Sequence, residues 1–157
     1  MRGARQIGQG LLLGLWIVVS FGCQPTERGY HYFERLQAEE WSEGDEIFFS
    51  TSDLDSTQLY DVELVLRLQR SFHYSQLPIG ITFETPTRHL TTRVAKVPIA
   101  HPQVRSGGFA IYEQSYPLEK GARYPERGVY TYSVRQLSTD SIIKGVVEVG
   151  LIITPRE

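Results

Sequence analysis

The chain has 157 residues, of which 16 are Lys or Arg and 18 are Asp or Glu, so its formal net charge is −2 at pH 7. This weakly acidic balance argues against a general nucleic-acid surface, which would be basic. A single cysteine excludes an intrachain disulfide, so the fold must be stabilised by a hydrophobic core. The nine Tyr, the seven Phe and the frequent Val and Ile residues favour β-strands.

The chain starts with the features of an export signal. Arg2 and Arg5 precede an apolar run over residues 11–19, which is shorter than the roughly 20 residues that a helix needs to cross a bilayer. A basic start followed by a short apolar run is typical of a secretory signal peptide. Cys23 lies where cleavage is expected, and the segment resembles the lipobox of a bacterial lipoprotein, although Ser20 stands where Leu is usual. We predict lipid attachment at Cys23; an ordinary secreted protein with an incidental cysteine is the alternative.

Residues 1–22 are predicted to be removed as the signal peptide, which leaves 14 basic against 18 acidic residues. Residues 23–29 contain the lipidated cysteine and a polar tether. Residues 30–41 have partly helical spacing but are few, so an irregular segment or an edge strand is equally expected. Acidic residues surround Trp41. A solvated turn with one buried aromatic side chain is the favoured interpretation there, and a binding site at Trp41 is the alternative.

From residue 45 onward, apolar and polar residues alternate as they do in half-buried strands. The clearest case is Tyr60–Gln69, with Val65 as the exception to its alternation. Residues 85–88 form a turn by composition, so the strands on either side are predicted to make a hairpin. Pro98 and Pro102 indicate that the second of these strands lies at an edge or leaves the sheet there. The predicted strands, about eight, are 47–50, Tyr60–Gln69, 78–84, 89–97, 109–114, 118–123, 129–137 and 146–154.

These short strands recur along the chain, and no long helical pattern separates them. The spacing predicts an all-β fold, an antiparallel β-sandwich that is jelly-roll-like, in a single domain at residues 30–157. A parallel α/β fold would need a long crossover, usually a helix, between its strands.

No motif in the chain points to catalysis. The four histidines are dispersed and lack the paired spacing of a zinc site. The Gly-x-Ser-x-Gly pentapeptide of a serine-hydrolase elbow does not occur, and neither does a glycine-rich phosphate loop. We therefore expect no catalytic residue, no metal and no cofactor. Tyrosines and carboxylates on a sandwich can also form a sugar-binding face, so a lipid-anchored glycan-binding module remains an alternative, with an enzyme as the third possibility.

Three stretches of the chain resemble the gliding-motility lipoprotein GldH family of the Bacteroidota. In residues 66–81, a Leu-Arg pair precedes spaced aromatic residues. In residues 119–136, the pattern aromatic-Pro-x-x-Gly-x-Tyr-x-aromatic runs through Tyr124 and Tyr130. Residues 145–152 are similar to a closing Gly-x-x-x-Val-Gly strand. The joint order of the three stretches, together with the lipoprotein start, carries the resemblance.

The resemblance implies a lipid-anchored, non-enzymatic component of the envelope gliding machinery, which is linked in this phylum to type IX secretion. It implies contacts with other envelope proteins, while the charge balance implies none with nucleic acid. Gln24 follows the lipidated position, where Asp is the usual inner-membrane retention signal in the best-studied bacteria. We therefore expect sorting to the outer membrane, facing the periplasm. The candidate interaction residues are Trp41, Tyr124 and Tyr130.

Overall fold

A computed structural model of the chain describes residues 29–52, 54–101 and 110–156. The predicted signal peptide, Cys23 and nearly all of the tether lie outside these described residues. The described part contains ten strands and one short 3₁₀ turn, Gln37–Glu39. The strands are β1 (Tyr30–Arg35), β2 (Glu40–Ser42), β3 (Glu46–Thr51), β4 (Tyr60–Gln69), β5 (Gln76–Glu84), β6 (Leu90–Pro98), β7 (Ile111–Ala122), β8 (Tyr130–Gln136), β9 (Ile142–Lys144) and β10 (Val146–Pro155).

The strands form two four-stranded sheets and a two-stranded ribbon. The first sheet has the order β1-β10-β4-β7, the second has the order β3-β8-β5-β6, and the ribbon joins β2 to β9. Along the chain, β1 pairs with β10, β2 with β9, β3 with β8, β4 with β7 and β5 with β6, always antiparallel. The chain is therefore one long antiparallel hairpin of nested pairs. Apart from the ribbon, successive pairs enter alternate sheets, which is the jelly-roll arrangement.

The prediction of an all-β antiparallel sandwich is confirmed, and the number of strands differs for local reasons. The interval 30–41 forms the edge strand β1, the 3₁₀ turn and the start of β2. The strands predicted at 109–114 and 118–123 join into β7, since Pro117 is tolerated on an edge strand. The remaining addition, β9, has only three residues, which is too short for alternation to be recognised.

The core lies between the two sheets, and β4 shows how the sequence places it there. Val62, Leu64, Leu66 and Leu68 alternate along β4, and all four are fully buried. The inward residues of β10 and of the second sheet complete this layer. The predicted hairpin is formed by β5 and β6, whose ladder runs from Glu84 opposite Leu90 to Gln76 opposite Pro98. No helix within the described ranges is long and apolar enough to cross a membrane.

Candidate functional site

The three candidate interaction residues are buried. Trp41 is fully enclosed, and its Nε1 donates a hydrogen bond to the carbonyl of Asp45 at 3.1 Å. Tyr124 and Tyr130 are 1% and 3% exposed. Side chains enclosed to this degree present no surface to a partner, so the structure places all three in the core. An interaction surface has to be sought among other residues.

The turn that follows β7 is built from the tyrosines of the second resembling stretch. The hydroxyl of Tyr130 accepts a hydrogen bond from the backbone N–H of Glu126 at 2.7 Å and donates one to its carbonyl at 2.9 Å. The Tyr124 and Tyr132 hydroxyls lie 2.8 Å apart. Gly128 has a φ of +135°, and a Cβ there would lie 2.8 Å from Cβ of Pro86. These positions therefore shape the turn and the adjacent core.

Burial controls the ionisation of two of these phenols. Removal from water raises the pKa of Tyr132 to about 12, an effect that the hydrogen bond from Tyr124 partly offsets. Burial is also the main reason why the pKa of Tyr124 is raised, and the nearby Tyr132 adds to it. Both hydroxyls are consequently neutral at physiological pH.

The outer face of the first sheet carries a cluster around Arg67. Arg67 Nη1 lies 2.6 Å from Oε2 of Glu148, and its Nε lies 3.2 Å from Oε2 of Glu113. The guanidinium carbon is 3.9 Å from the centre of the Phe33 ring, which is cation–π distance. Arg67 is therefore paired with two carboxylates and also stacked on an aromatic ring.

Gly150 provides the space in which the Phe33 ring lies. The two residues are opposite each other in the β1–β10 ladder, and a Cβ at Gly150 would overlap the ring. Val65 is the next residue in this row, and it is fully buried although it points away from the core. The cluster of Phe33, Val65, Arg67 and Gly150, here called the closed face, explains the exception to alternation in β4.

The outer face of the second sheet is different, and we call it the open face. Its central row contains Phe48, Ser133, Thr82 and Thr92, in that order across the four strands. Phe48 is 59% exposed, and Val94 in the adjacent row is 63% exposed. The hydroxyls of Thr82 and Thr92 lie 3.2 Å apart, and those of Ser50 and Thr131 lie 3.1 Å apart.

A groove of about 820 Å³ lies beside the 3₁₀ turn, and its border includes the carboxylates of Glu34, Glu40, Asp45 and Glu46. Its acids have local partners: Lys144 Nζ is 3.2 Å from Oε1 of Glu40, and the hydroxyl of Ser133 donates to Glu46 at 2.6 Å. The described ranges contain no group of three or more His, Cys, Asp or Glu side chains that could hold a metal ion. We therefore assign no ligand to this groove.

The comparisons with known proteins agree with the resemblance in the sequence. Residues 28–153 match the family model of the GldH lipoprotein. The chain is 21% identical over 146 residues to the gliding motility lipoprotein GldH homolog of Christiangramia forsetii. The alignment covers 87% of this chain and 89% of that protein.

Among solved structures, the chain is similar to a 4-O-methyl-alpha-glucuronidase with specificity for decorated arabinogalactans. The TM-score is 0.38 at 17% identity, covering 75% of this chain and 14% of that chain. A likeness this weak carries no argument about fold or activity. The family match, in contrast, spans most of the sequence, and the chain belongs to the GldH lipoprotein family.

Proposed function

We propose that this protein is a lipid-anchored, non-enzymatic component of the envelope gliding machinery that acts by protein–protein contact. Membership of the GldH lipoprotein family supports the envelope role. One observation supports the contact: the open face exposes Phe48 in a central row that has no charged residue, and it exposes Val94 in the adjacent row, which also contains Glu46 and Arg135. Interface centres are depleted in charge and enriched in aromatic side chains.

The polar groups of the open face suit a surface that loses water on binding. Ser50 is hydrogen-bonded to Thr131, and Thr82 is hydrogen-bonded to Thr92. Because these hydroxyls already have partners within the protein, covering them leaves less unsatisfied polarity than covering free hydroxyls would. Phe48 can then serve as the aromatic anchor that dominates binding at many interfaces.

The lipid anchor would hold the open face near the gliding machinery in the envelope. Only the six residues 24–29 separate Cys23 from the start of β1, and a fully extended chain of this length reaches about 20 Å. We place the acylated protein, with palmitate among its acyl chains, at the outer membrane facing the periplasm. The partner belongs to the gliding apparatus linked to type IX secretion.

Cross-linking in intact envelopes, followed by mass spectrometry, tests the contact. The double variant Phe48→Asp with Val94→Asp places two charges on the open face and should lose the envelope proteins that the wild type captures. The matched control is Ile111→Asp, since Ile111 is 42% exposed on the outer face of the first sheet. Unchanged capture by the double variant, or no envelope partner for the wild type, would overturn the proposal.

The anchor is tested separately by metabolic labelling with palmitate. Cys23→Ser removes the thiol that would form the thioether and should abolish labelling while releasing a folded domain. Ser20→Leu, which restores the residue usual in the lipobox, serves as the control and should keep the label. Undiminished labelling of Cys23→Ser would contradict the anchor.

A further inference from the structure

Strand β7 contains a bulge that changes the direction of one carboxylate. In its ladder with β4, Pro117 pairs with Glu63, but Glu119 pairs with Val62, so β7 has one extra residue between them. An extra residue reverses the side to which the following side chains point. Glu119 therefore faces the interior side of the sheet, while Glu113 on the same strand faces outward with Arg67.

Glu119 is exposed and lies at the mouth of a slot between the two sheets, next to the buried Leu118. Strands β6 and β7 are edges of opposite sheets, and the slot between them has a volume of about 270 Å³. All four strands that border the slot contribute inward-facing side chains. The lining residues are Ile81, Phe83, Thr91, Arg93, Glu119 and Tyr132.

The two charged groups of the slot, Arg93 and Glu119, both line it and are both exposed. Arg93 and Glu119 come from opposite sheets, and the ion pairs of the described ranges include neither residue. An ion pair between them would need an N–O distance within about 4 Å. Both groups therefore remain able to bind a ligand that lies between them.

The floor of the slot is aromatic. The ring of Phe83 is only partly buried and lies 4.7 Å from the Tyr132 ring. Tyr132 is 3% exposed, and its hydroxyl is 2.8 Å from that of Tyr124 in the core. Phe83 therefore provides the aromatic surface that a ligand can reach. Thr91, opposite Phe83 in the β5–β6 ladder, places a hydroxyl at the rim.

We propose that this slot binds one pyranose residue of an envelope glycan. A sugar ring has an apolar C–H face that stacks on aromatic side chains, and its hydroxyls both donate and accept hydrogen bonds. Glu119 accepts, Arg93 donates, and Thr91 does either. The volume is below the roughly 300–1,000 Å³ of pockets for drug-sized ligands, which suits a single ring.

This site is distinct from the open face, so the inference goes beyond the proposed protein contact. The ligand would enter from the side of the sandwich, between β6 and β7, whereas Phe48 lies on the opposite edge strand of the second sheet. A protein that holds both an envelope partner and a glycan would link the two in one anchored domain.

Saturation-transfer NMR tests the inference on the full lipidated chain in a detergent without a sugar headgroup. The probes are the methyl pyranosides of glucose, galactose, mannose and N-acetylglucosamine, with glycine as the zwitterionic probe. We expect transfer to at least one glycoside. Glu119→Gln should weaken its binding about tenfold, because a hydrogen bond to a charged group is lost.

Glu113→Gln is the matched control, because it removes a carboxylate from the outward side of the same strand and should leave glycoside binding unchanged. Thermal melts establish that both variants are folded. Transfer to none of the glycosides, equal binding by Glu119→Gln, or transfer to glycine alone would each overturn the sugar assignment. Cross-linking through the open face should be unaffected by Glu119→Gln, so failure here is distinguishable from failure of the proposed function.

Discussion

The outer faces of the two sheets differ in how far the protein covers them itself. On the closed face, the Phe33 ring lies on Gly150, and Arg67 stacks on the ring while it pairs with two glutamates. On the open face, Phe48 and Val94 stand 59% and 63% exposed. Outward-facing apolar residues therefore have opposite roles in the two sheets. On the closed face they pack against other side chains, and on the open face they remain accessible to solvent.

A glycine on each face marks the difference. Gly150 in β10 and Gly80 in β5 both lie in inner strands and both face outward. A Cβ at Gly150 would overlap an aromatic ring, whereas a Cβ at Gly80 would meet Cδ1 of Leu137 at 3.2 Å and Cγ of Arg135 at 3.3 Å. The aromatic ring beside Gly150 is rigid, whereas the Leu137 and Arg135 side chains beside Gly80 are flexible and can move aside.

The largest expected effect follows from this pair of glycines. Gly150→Ala should lower the free energy of unfolding by about 3 kcal/mol, the upper end for overpacking, because the ring is held between the backbone and Arg67. Gly80→Ala should be nearly neutral. Urea denaturation of both variants measures the difference. Equal costs at the two positions would show that the closed face is no more tightly packed than the open one.

Unfolding at alkaline pH tests the core between the two sheets, where Tyr124 and Tyr132 are buried. Burial raises the pKa of Tyr132 to about 12 and also raises that of Tyr124. The unfolded chain releases these protons near pH 10, so the stability is complete below that pH and falls as the pH rises towards 12. We expect a loss of about 2 kcal/mol over this interval from Tyr132 alone, and a larger total because Tyr124 adds to it. Urea denaturation measures the loss.

The control for the alkaline prediction is Tyr132→Phe, which has no proton to release at this position. This variant loses the hydrogen bond to Tyr124 and should be less stable at pH 8. Its stability should nevertheless decline less between pH 10 and 12 than that of the wild type. The same decline in both proteins would mean that other groups cause the alkaline unfolding.

Arg67→Met tests how much the charges contribute to the closed face. The variant keeps an aliphatic side chain beside Phe33 and removes both ion pairs. Arg67 is 38% exposed, so each pair is weakened by solvent, and we expect a total loss of about 1 kcal/mol with the cation–π contact included. The loss should shrink in high salt.

Arg88→Met is the reference for Arg67→Met, since Arg88 pairs with Glu84 at 3.2 Å while its side chain is 87% exposed. Urea denaturation at low and high salt should show no measurable change for this variant. If Arg88→Met destabilised the protein as much as Arg67→Met, the cluster around Phe33 would have no special role.

Alternation predicted the long strands well because it acts over many residues. β4 occupies the predicted interval, Tyr60–Gln69, and its four inward residues are buried as expected. The ribbon of β2 and β9 has three residues on each side, which is too few for a period. Its pairing depends on residues far apart in the chain, such as Trp41 opposite Ile143.

The outer surfaces were harder to predict than the core. Val65 is visible in the sequence as an exception. Its cause is the contact of Phe33 with Gly150, two residues that are more than a hundred positions apart in the chain. The bulge that turns Glu119 inward depends on the register with β4. Composition likewise does not distinguish a buried aromatic side chain from an exposed one when polar residues surround it. For this reason Trp41 could be interpreted either as a buried residue or as a binding residue.

The smallest expected effect on stability is that of Phe48→Thr. Because the Phe48 ring is largely exposed, the variant should change the free energy of unfolding by no more than about 0.5 kcal/mol. Phe33→Thr, in the closed face, is the matched reference and should cost clearly more. A near-neutral Phe48→Thr that loses its cross-linked partner would assign this ring to binding, because folding would not require it. Destabilisation comparable to Phe33→Thr would instead show that the ring packs against its own sheet, and the distinction between the two faces would fail.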